Sequence, residues 1–367
     1  MAIVRIARLL LCGALLGCGP RGVPIADDPA GPAIGDGHDR APTDAAPPDA
    51  PPPAWVDATR TLFREVAGRA LDGAPATLAA EVLRAAATAV GAEVEVPAFP
   101  AELDGATAQL AARLGDLGAR FGGDDQIVVA AATALAAGLG PRAAVVSAEA
   151  LALEATPAAP QVSHRVVRGV GVVRISGFTA DDPIVLGLRT VLTDLDRKRV
   201  RGLVFDLRDV GGTAPPARAI SLFTNRDVLW RERDAAGATT DVTRGGEIWP
   251  TERPIAVLVD DATVAAAEQF AFALQDLDIG YLIGRPTAGV LTLTADVPLP
   301  GGAVLRFPAR RVVGVVGGEA AARVTPTVLV AARATKPRAK ADPQLDVAIA
   351  DVQQRVRAGR VAPPRHR

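Results

Sequence analysis

Three of the side chains on which acyl-transfer chemistry most often rests are scarce in this 367-residue chain. It holds four Ser (Ser147, Ser163, Ser176, Ser221), three Lys (Lys198, Lys336, Lys340) and three His (His38, His164, His366). A nucleophile needs a hydroxyl or thiol beside a base, so very few combinations exist. Ser163 and His164 are adjacent, but neighbours on a strand point to opposite faces and do not form a dyad. Ser176 ends a strand and reads as structural. Lys198 sits among Arg197, Arg199 and Arg201 on a solvated corner, and Lys336 and Lys340 fall in a late loop. Thr263 carries a hydroxyl at a helix start, where its ordinary role is an N-cap. Glu268, five residues on, reads as a capping or dipole partner. Asp206 and Asp209 flank Arg208 and are expected to brace the Gly211-Gly212 turn by ion pairing. No metal-ligand spacing is present, and neither a metal nor a cofactor is expected. Codon bias toward Arg, Ala, Gly and Pro accounts for the scarcity.

The elements that would position these groups fall into two folded regions. From Trp55 to about Thr156 the apolar period is helical, with Leu62, Phe63 and Val66 on one face. Leu78, Val82, Leu83 and Ala86 form a second such face, and Leu110, Leu114 and Leu117 a third; Ile127–Leu139 is a further apolar helix. From Val166 onward strands alternate with helices, the sign of a mostly parallel sheet. Strands are predicted at Val170–Ile175, Gly202–Leu207, Pro254–Val259 and Tyr281–Gly284. Helices are predicted from Asp182, over Pro215–Phe223 and over Val264–Leu277. An antiparallel pair, Leu291–Val297 and Val304–Val313, turns at Pro300-Gly301-Gly302, and Asp346–Val356 is a last helix. Ligands of such sheets sit at the carboxyl ends of the strands. The segments after Leu207, Val259 and Gly284 are therefore the informative ones.

Those segments resemble the C-terminal processing (tail-specific) serine peptidases. Asp206-Leu207-Arg208-Asp209-Val210-Gly211-Gly212 is similar to their Asp-Leu-Arg-Asn-Asn-Pro-Gly-Gly signature, one residue shorter. Val170–Phe178 is similar to the strand that opens their core. Gln275-Asp276 with Gly284-Arg285-Pro286-Thr287-Ala288-Gly289 resembles their next block, and Asp342-Pro343-Gln344-Leu345 their closing helix start. The likeness runs from about Ile127 to Val356 and leaves no room for an inserted PDZ domain, since about ten residues connect Thr156 to Val166. It implies an α/β fold with a Clp-protease/crotonase-like core, preceded by a small all-α domain.

The resemblance also implies a Ser nucleophile, in a Ser-Ala-Ser-Ala-Ser-Glu block, activated by a neutral Lys. Here the block reads Thr263-Val264-Ala265-Ala266-Ala267-Glu268, so the nucleophile position is Ala265. The Lys position is Val290, and the Gln four residues later is Thr294. A methyl group cannot attack a carbonyl, and an isopropyl group cannot take a proton. The implied oxyanion and peptide-binding turn, Gly211-Gly212, is kept. The expected function is a catalytically inactive member of the family that binds extended peptides or protein C-termini in the vestigial cleft, or an envelope partner. Two other readings stand beside it: a hydrolase using Thr263, and a purely structural envelope lipoprotein.

The N-terminus gives the address. Arg5 and Arg8 precede the apolar run Leu9–Leu16, too short for a membrane span. Leu15-Leu16-Gly17-Cys18 resembles a lipobox, which implies a lipoprotein signal peptide over 1–17 and a lipid anchor at Cys18. Gly19 in place of Asp implies the periplasmic face of the outer membrane. Residues 18–53 hold ten of the 30 Pro and read as a spacer. The expected organisation is therefore 1–17 signal, 18–53 linker, 54–157 helical domain, 158–357 α/β core and 358–367 disordered tail. A formal net charge of -1 gives no footprint for nucleic acid.

Overall fold

The structure is a computed structural model that describes residues 53–155, 162–249, 253–318, 323–331 and 342–359. The signal segment, Cys18, nearly all of the linker, Lys336, Lys340 and most of the tail lie outside the described residues. Helices come first: α1 (Ala54–Arg69), α2 (Pro75–Ala89), α3 (Leu103–Phe121) and α4 (Gln126–Leu139), followed by β1 (Ala144–Val146) and α5 (Ala148–Ala155). Then come β2 (Val162–Val167), β3 (Val170–Ile175), α6 (Asp181–Arg197), β4 (Leu203–Asp206), α7 (Ala217–Ser221), β5 (Val228–Asp234) and β6 (Thr239–Thr243). The rest is β7 (Ile255–Val259), α8 (Ala265–Asp276), β8 (Tyr281–Gly284), β9 (Thr292–Pro298), β10 (Val304–Val313), β11 (Val328–Leu329) and α9 (Pro343–Arg357).

The central sheet has the order β11-β8-β7-β4-β3-β2, parallel except for the antiparallel edge strand β2. Its inner strands read Leu-Val-Phe-Asp, Ile-Ala-Val-Leu-Val and Tyr-Leu-Ile-Gly and are buried throughout, because helices cover both faces. Alternation divides them. Phe205, Val257, Val259 and Leu282 face a core shared with α6, α7 and α8, whereas Val204, Ala256, Leu258 and Ile283 face α9. Phe270 of α8 packs its ring 5.4 Å from that of Phe178 and 5.8 Å from that of Phe205. This contact seats α8 against the sheet and so fixes where the helix begins. Removing such a ring costs about 3–5 kcal/mol.

A second, antiparallel sheet has the order β1-β10-β5-β6, with β9 also paired to β10. The four-helix region does not close its core alone: Val297, Leu299, Leu305, Phe307 and Ala309 pack among α1–α4. Thus β9 and β10 hold the helices on one side and reach toward the central sheet on the other, where Leu291 and Val312 join the α8 core. The β5–β6 hairpin and the short β1 were not expected from the sequence. The residues of β5 and β6, Val-Leu-Trp-Arg-Glu-Arg-Asp and Thr-Thr-Asp-Val-Thr, are mostly polar and lack a long apolar signal.

Candidate active site and its vacancies

Strands β4, β7 and β8 are neighbours, so the loops that leave their carboxyl ends meet. They form one wall of a cleft of about 480 Å³ that Gly212, Ala265, Ala266, Gln269 and Val290 line. Leu293, Thr294 and Asp296 of β9, with Val312 and Arg306 of β10, form the other wall. Residues 212, 265, 290 and 294, singled out in the sequence, are therefore brought together.

Each loop is held by bonds that leave the cleft side free. Gly212 has φ +137°, and a Cβ there would lie 2.2 Å from the Phe178 carbonyl oxygen, so no other residue fits. The Phe178 N–H donates to Gly211 O (2.9 Å), and the Ala266 N–H donates to Gly212 O (3.2 Å). Between β7 and α8, the Thr263 hydroxyl donates to Leu207 O (2.9 Å) and accepts from the Asp260 N–H (3.0 Å). Asp260 Oδ1 accepts from the Asp209 N–H (3.1 Å). These bonds tie the loop before α8 to the Gly-Gly turn. Ala265 then enters α8 at φ +50°, a left-handed conformation that costs a non-glycine residue roughly 1–2 kcal/mol.

Glu268 fixes the third loop. It is 0% exposed, and its carboxylate accepts from the Gly289 N–H (2.9 Å), the Val290 N–H (2.7 Å) and the Thr287 hydroxyl. An acceptor with four lone-pair sites suits a loop that presents several donors at once. The role expected of Glu268, a cap or dipole partner of its own helix, is corrected to a clamp on the loop that carries Val290. Thr263 is corrected too. It is 0% exposed and caps no helix, since Val264 holds the N-cap position without a side-chain bond. Its hydroxyl is used by Leu207 O and the Asp260 N–H, with Asp260 Oδ1 at 3.3 Å, and it does not line the cleft, which argues against the fallback nucleophile.

Behind β4, Arg208 is 1% exposed and makes two bonds to Asp206 (Nε and Nη2, both 2.8 Å) and two to Asp342 (Nη1 and Nη2, both 2.8 Å). Gln344 Oε1 accepts a further bond at 3.1 Å. Burial opposes the guanidinium charge, but the bonds to Asp206 and Asp342 outweigh it and hold the pKa above its usual value. The expected brace exists, with one change of partner. Asp209 is exposed, at φ +56°, and is not among the partners of Arg208; Asp342, the N-cap of α9, takes that place. Other motif residues are also scaffolding. Gln275 Nε2 donates to Thr325 O (3.3 Å), and Asp276 accepts from the N–H groups of Val315 (2.6 Å) and Gly317 (2.7 Å). His164 and Lys198 both bond Asp194 (2.6 Å each) on the far edge of the sheet, and Ser163 stands opposite Arg174. No cluster of three His, Cys, Asp or Glu fit for a metal occurs among the described residues.

The ordered motifs and the loop geometry agree with a family match: residues 169–330 fit the model of peptidase family S41. That region belongs to the family. The chain is 29% identical over 135 residues to the C-terminal processing peptidase, chloroplastic, of Tetradesmus obliquus, covering 36% of this chain and 29% of that protein. It is 31% identical over 137 residues to the carboxyl-terminal-processing protease of Synechocystis sp., covering 36% of this chain and 31% of that protein. The chain thus spans less than a third of the length of the curated relatives it matches. A lipoprotein from Streptococcus agalactiae shares the fold, with TM-score 0.56 and 16% identity over 83% of this chain and 98% of that one. The α/β core with its helical N-terminal region is therefore a fold that this chain shares with a solved structure. No helix among the described residues is long and apolar enough to cross a membrane.

What the sequence reading did not find is Gln269, one turn after Ala265 on the same face of α8. It is 5% exposed, it lines the cleft, and its Nε2 has no hydrogen-bond partner among the described residues. The signal was the i, i+4 spacing from the nucleophile position.

Proposed function

We propose that this protein is a catalytically inactive S41 member that binds extended peptide segments or protein C-termini in the cleft between α8 and β9. One observation carries the reading. Ala265 and Val290, 25 positions apart, line the same cleft, where a nucleophile and a base would have to meet, and neither side chain bears a reactive atom. Around them the frame is complete: a Gly-Gly turn that admits no side chain, a clamped 287–290 loop and a helix start. Among the described residues strand β9 pairs with β10 alone, so its other edge has no strand partner and an added strand there would gain backbone hydrogen bonds along the cleft. The reading includes export as a lipoprotein anchored through Cys18 at the periplasmic face of the outer membrane, supported by the 1–18 segment. A lipoprotein from another organism has the same fold. An envelope protein is the partner class this location favours.

The test is a binding and turnover experiment on the purified chain with unstructured fluorescent peptides. Saturable binding with no cleavage products is expected, and Thr294→Trp, which fills the cleft from an exposed position on β9, should abolish it. Absence of binding by the native chain overturns the reading. For the address, Cys18→Ala should move the protein from the membrane to the soluble fraction.

A further inference from the structure

We propose that the end of the central sheet opposite the cleft is a docking face for the anionic headgroups of a phospholipid bilayer, with Arg197, Arg199, Arg201 and Arg357 as its contacts. The proposal goes beyond peptide binding and takes from the export reading only the presence of a membrane. The cleft lies at the carboxyl ends of β4, β7 and β8. At the amino ends of β3 and β4 two turns adjoin, Arg168-Gly169 after β2 and Lys198–Arg201 after α6. The Arg201 N–H joins them by donating to Gly169 O (3.2 Å). The last turns of α9 lie beside them, since Gln353 Nε2 donates to Arg168 O (2.8 Å). Elsewhere on the surface, arginines such as Arg64, Arg231 and Arg285 are each matched to a carboxylate. Here the matching fails. Arg197, Arg199, Arg201 and Arg357 are exposed and have no ion pair among the described residues. The nearby carboxylates are already used: Asp194 by Lys198 and His164, Asp196 by Arg253, Asp346 by Arg168 and Asp351 by Arg355. Asp278, in the turn before β8 and two strands along from β4, is an unpaired carboxylate at this end.

The backbone supplies a second, independent observation. Arg199 follows the C-cap of α6 at φ +53°, where the Val200 N–H donates to Leu195 O (3.2 Å) and the Arg199 N–H to Asp196 O (2.9 Å). At a helix end with this pair of bonds glycine is the usual residue, and a side chain is strained. Arg168 likewise holds φ +51° in a two-residue hairpin turn that favours Asn or Gly. A chain with 36 Gly thus places Arg at two adjoining left-handed positions. The dipole of α6 accounts for Arg197 in its last turn, but not for Arg201, four residues beyond. Near an anionic leaflet each basic residue raises partition roughly five-fold, and salt screens the gain. Such docking is weak and reversible alone and becomes effective beside an anchor. Extended, the 18–53 spacer would reach about 100 Å, roughly twice the width of a domain of this size, which is enough to bring this face to the bilayer. Docking by this end turns the cleft away from the membrane, toward partners in solution.

The test is co-sedimentation of the chain from Gly19 onward, which keeps every described residue and omits the apolar run Leu9–Leu16. The vesicles are phosphatidylcholine alone, or phosphatidylcholine with phosphatidylglycerol. Binding to the anionic vesicles only, lost at high salt, is expected. Arg199→Gly and Arg201→Gln should each weaken it about five-fold, and the two with Arg197→Gln about a hundred-fold. Arg199→Gly should do so without lowering Tm, because glycine suits that turn. Arg113→Gln, which removes an exposed and unpaired charge from α3, should leave binding unchanged. Equal binding to both vesicle types, or binding to neither, overturns the proposal. An equal loss in Arg113→Gln and Arg201→Gln also overturns it, since net charge and not this face would then be the cause. The anchor reading fails separately: a Cys18→Ala chain that stays with the membrane after a high-salt wash contradicts the anchor and leaves the vesicle result standing.

Discussion

The first turn of α8 presents two unlike sides. On one, Glu268 accepts from Thr287, Gly289 and Val290, and no polar atom of its carboxylate is left unused. On the other, Ala265 and Gln269 line the cleft with a methyl group, an open backbone N–H and an unpartnered amide. One helix thus keeps the polar chemistry that holds loops and carries a methyl group at the position of the family's nucleophile. The frame of this site is therefore a structural object in its own right. It is maintained by Arg208, Gly212, Thr263 and Glu268, none of which has to react.

The frame side should break hardest. Arg208→Ala leaves Asp342 beside Asp206 with only the partly exposed Arg174, 3.3 Å from Asp206, to offset the two carboxylates, and should cost up to about 3–5 kcal/mol in urea unfolding. Arg208→Lys should recover only part of this, because an ammonium cannot make the four-bond fork. Gly212→Ala forces a Cβ onto the Phe178 carbonyl at a positive φ and should cost about 2–3 kcal/mol, with loss of peptide binding. Glu268→Gln turns an amide donor toward the N–H groups of the 287–290 loop and should cost about 1–3 kcal/mol, again with weaker binding. The cleft side should respond in the opposite sense. Ala265→Gly relieves the left-handed strain and should stabilise by up to about 1 kcal/mol, the gain being reduced by the freer unfolded chain.

The smallest effect belongs to the remote Asp194. Hydrogen bonds from Lys198 and then His164 hold its carboxyl below its usual value, against the opposing effect of desolvation. A depressed folded pKa stabilises above the unfolded value, and that contribution disappears as pH falls through the folded one. Asp194→Asn should therefore lower Tm slightly at neutral pH. The difference from the native chain should fade once pH drops below the ordinary carboxylate range.

Much of this contrast was legible in the sequence because it is carried by local pattern. The strands Val170–Ile175 and Tyr281–Gly284 lie where their apolar runs place them, and Ala265 and Val290 are vacancies within ordered motifs. The β5–β6 hairpin escaped because an edge hairpin with polar residues and no Asn-Gly turn gives little signal. Thr263, Glu268 and Arg208 were singled out, but their partners were not. Arg208 meets Asp342 across 134 positions, and only the fold brings the start of α9 to the end of β4. Gln269 escaped because an orphan donor is a property of packing, not of spacing.

The most direct measurement is a mass-spectrometric assay of peptide turnover by the native chain and by Ala265→Ser/Val290→Lys, side by side. A frame that is kept and a chemistry that is missing predict no products from the native chain and measurable cleavage from the double variant. Cleavage by the native chain would contradict the missing chemistry, and silence from a folded double variant would contradict the kept frame.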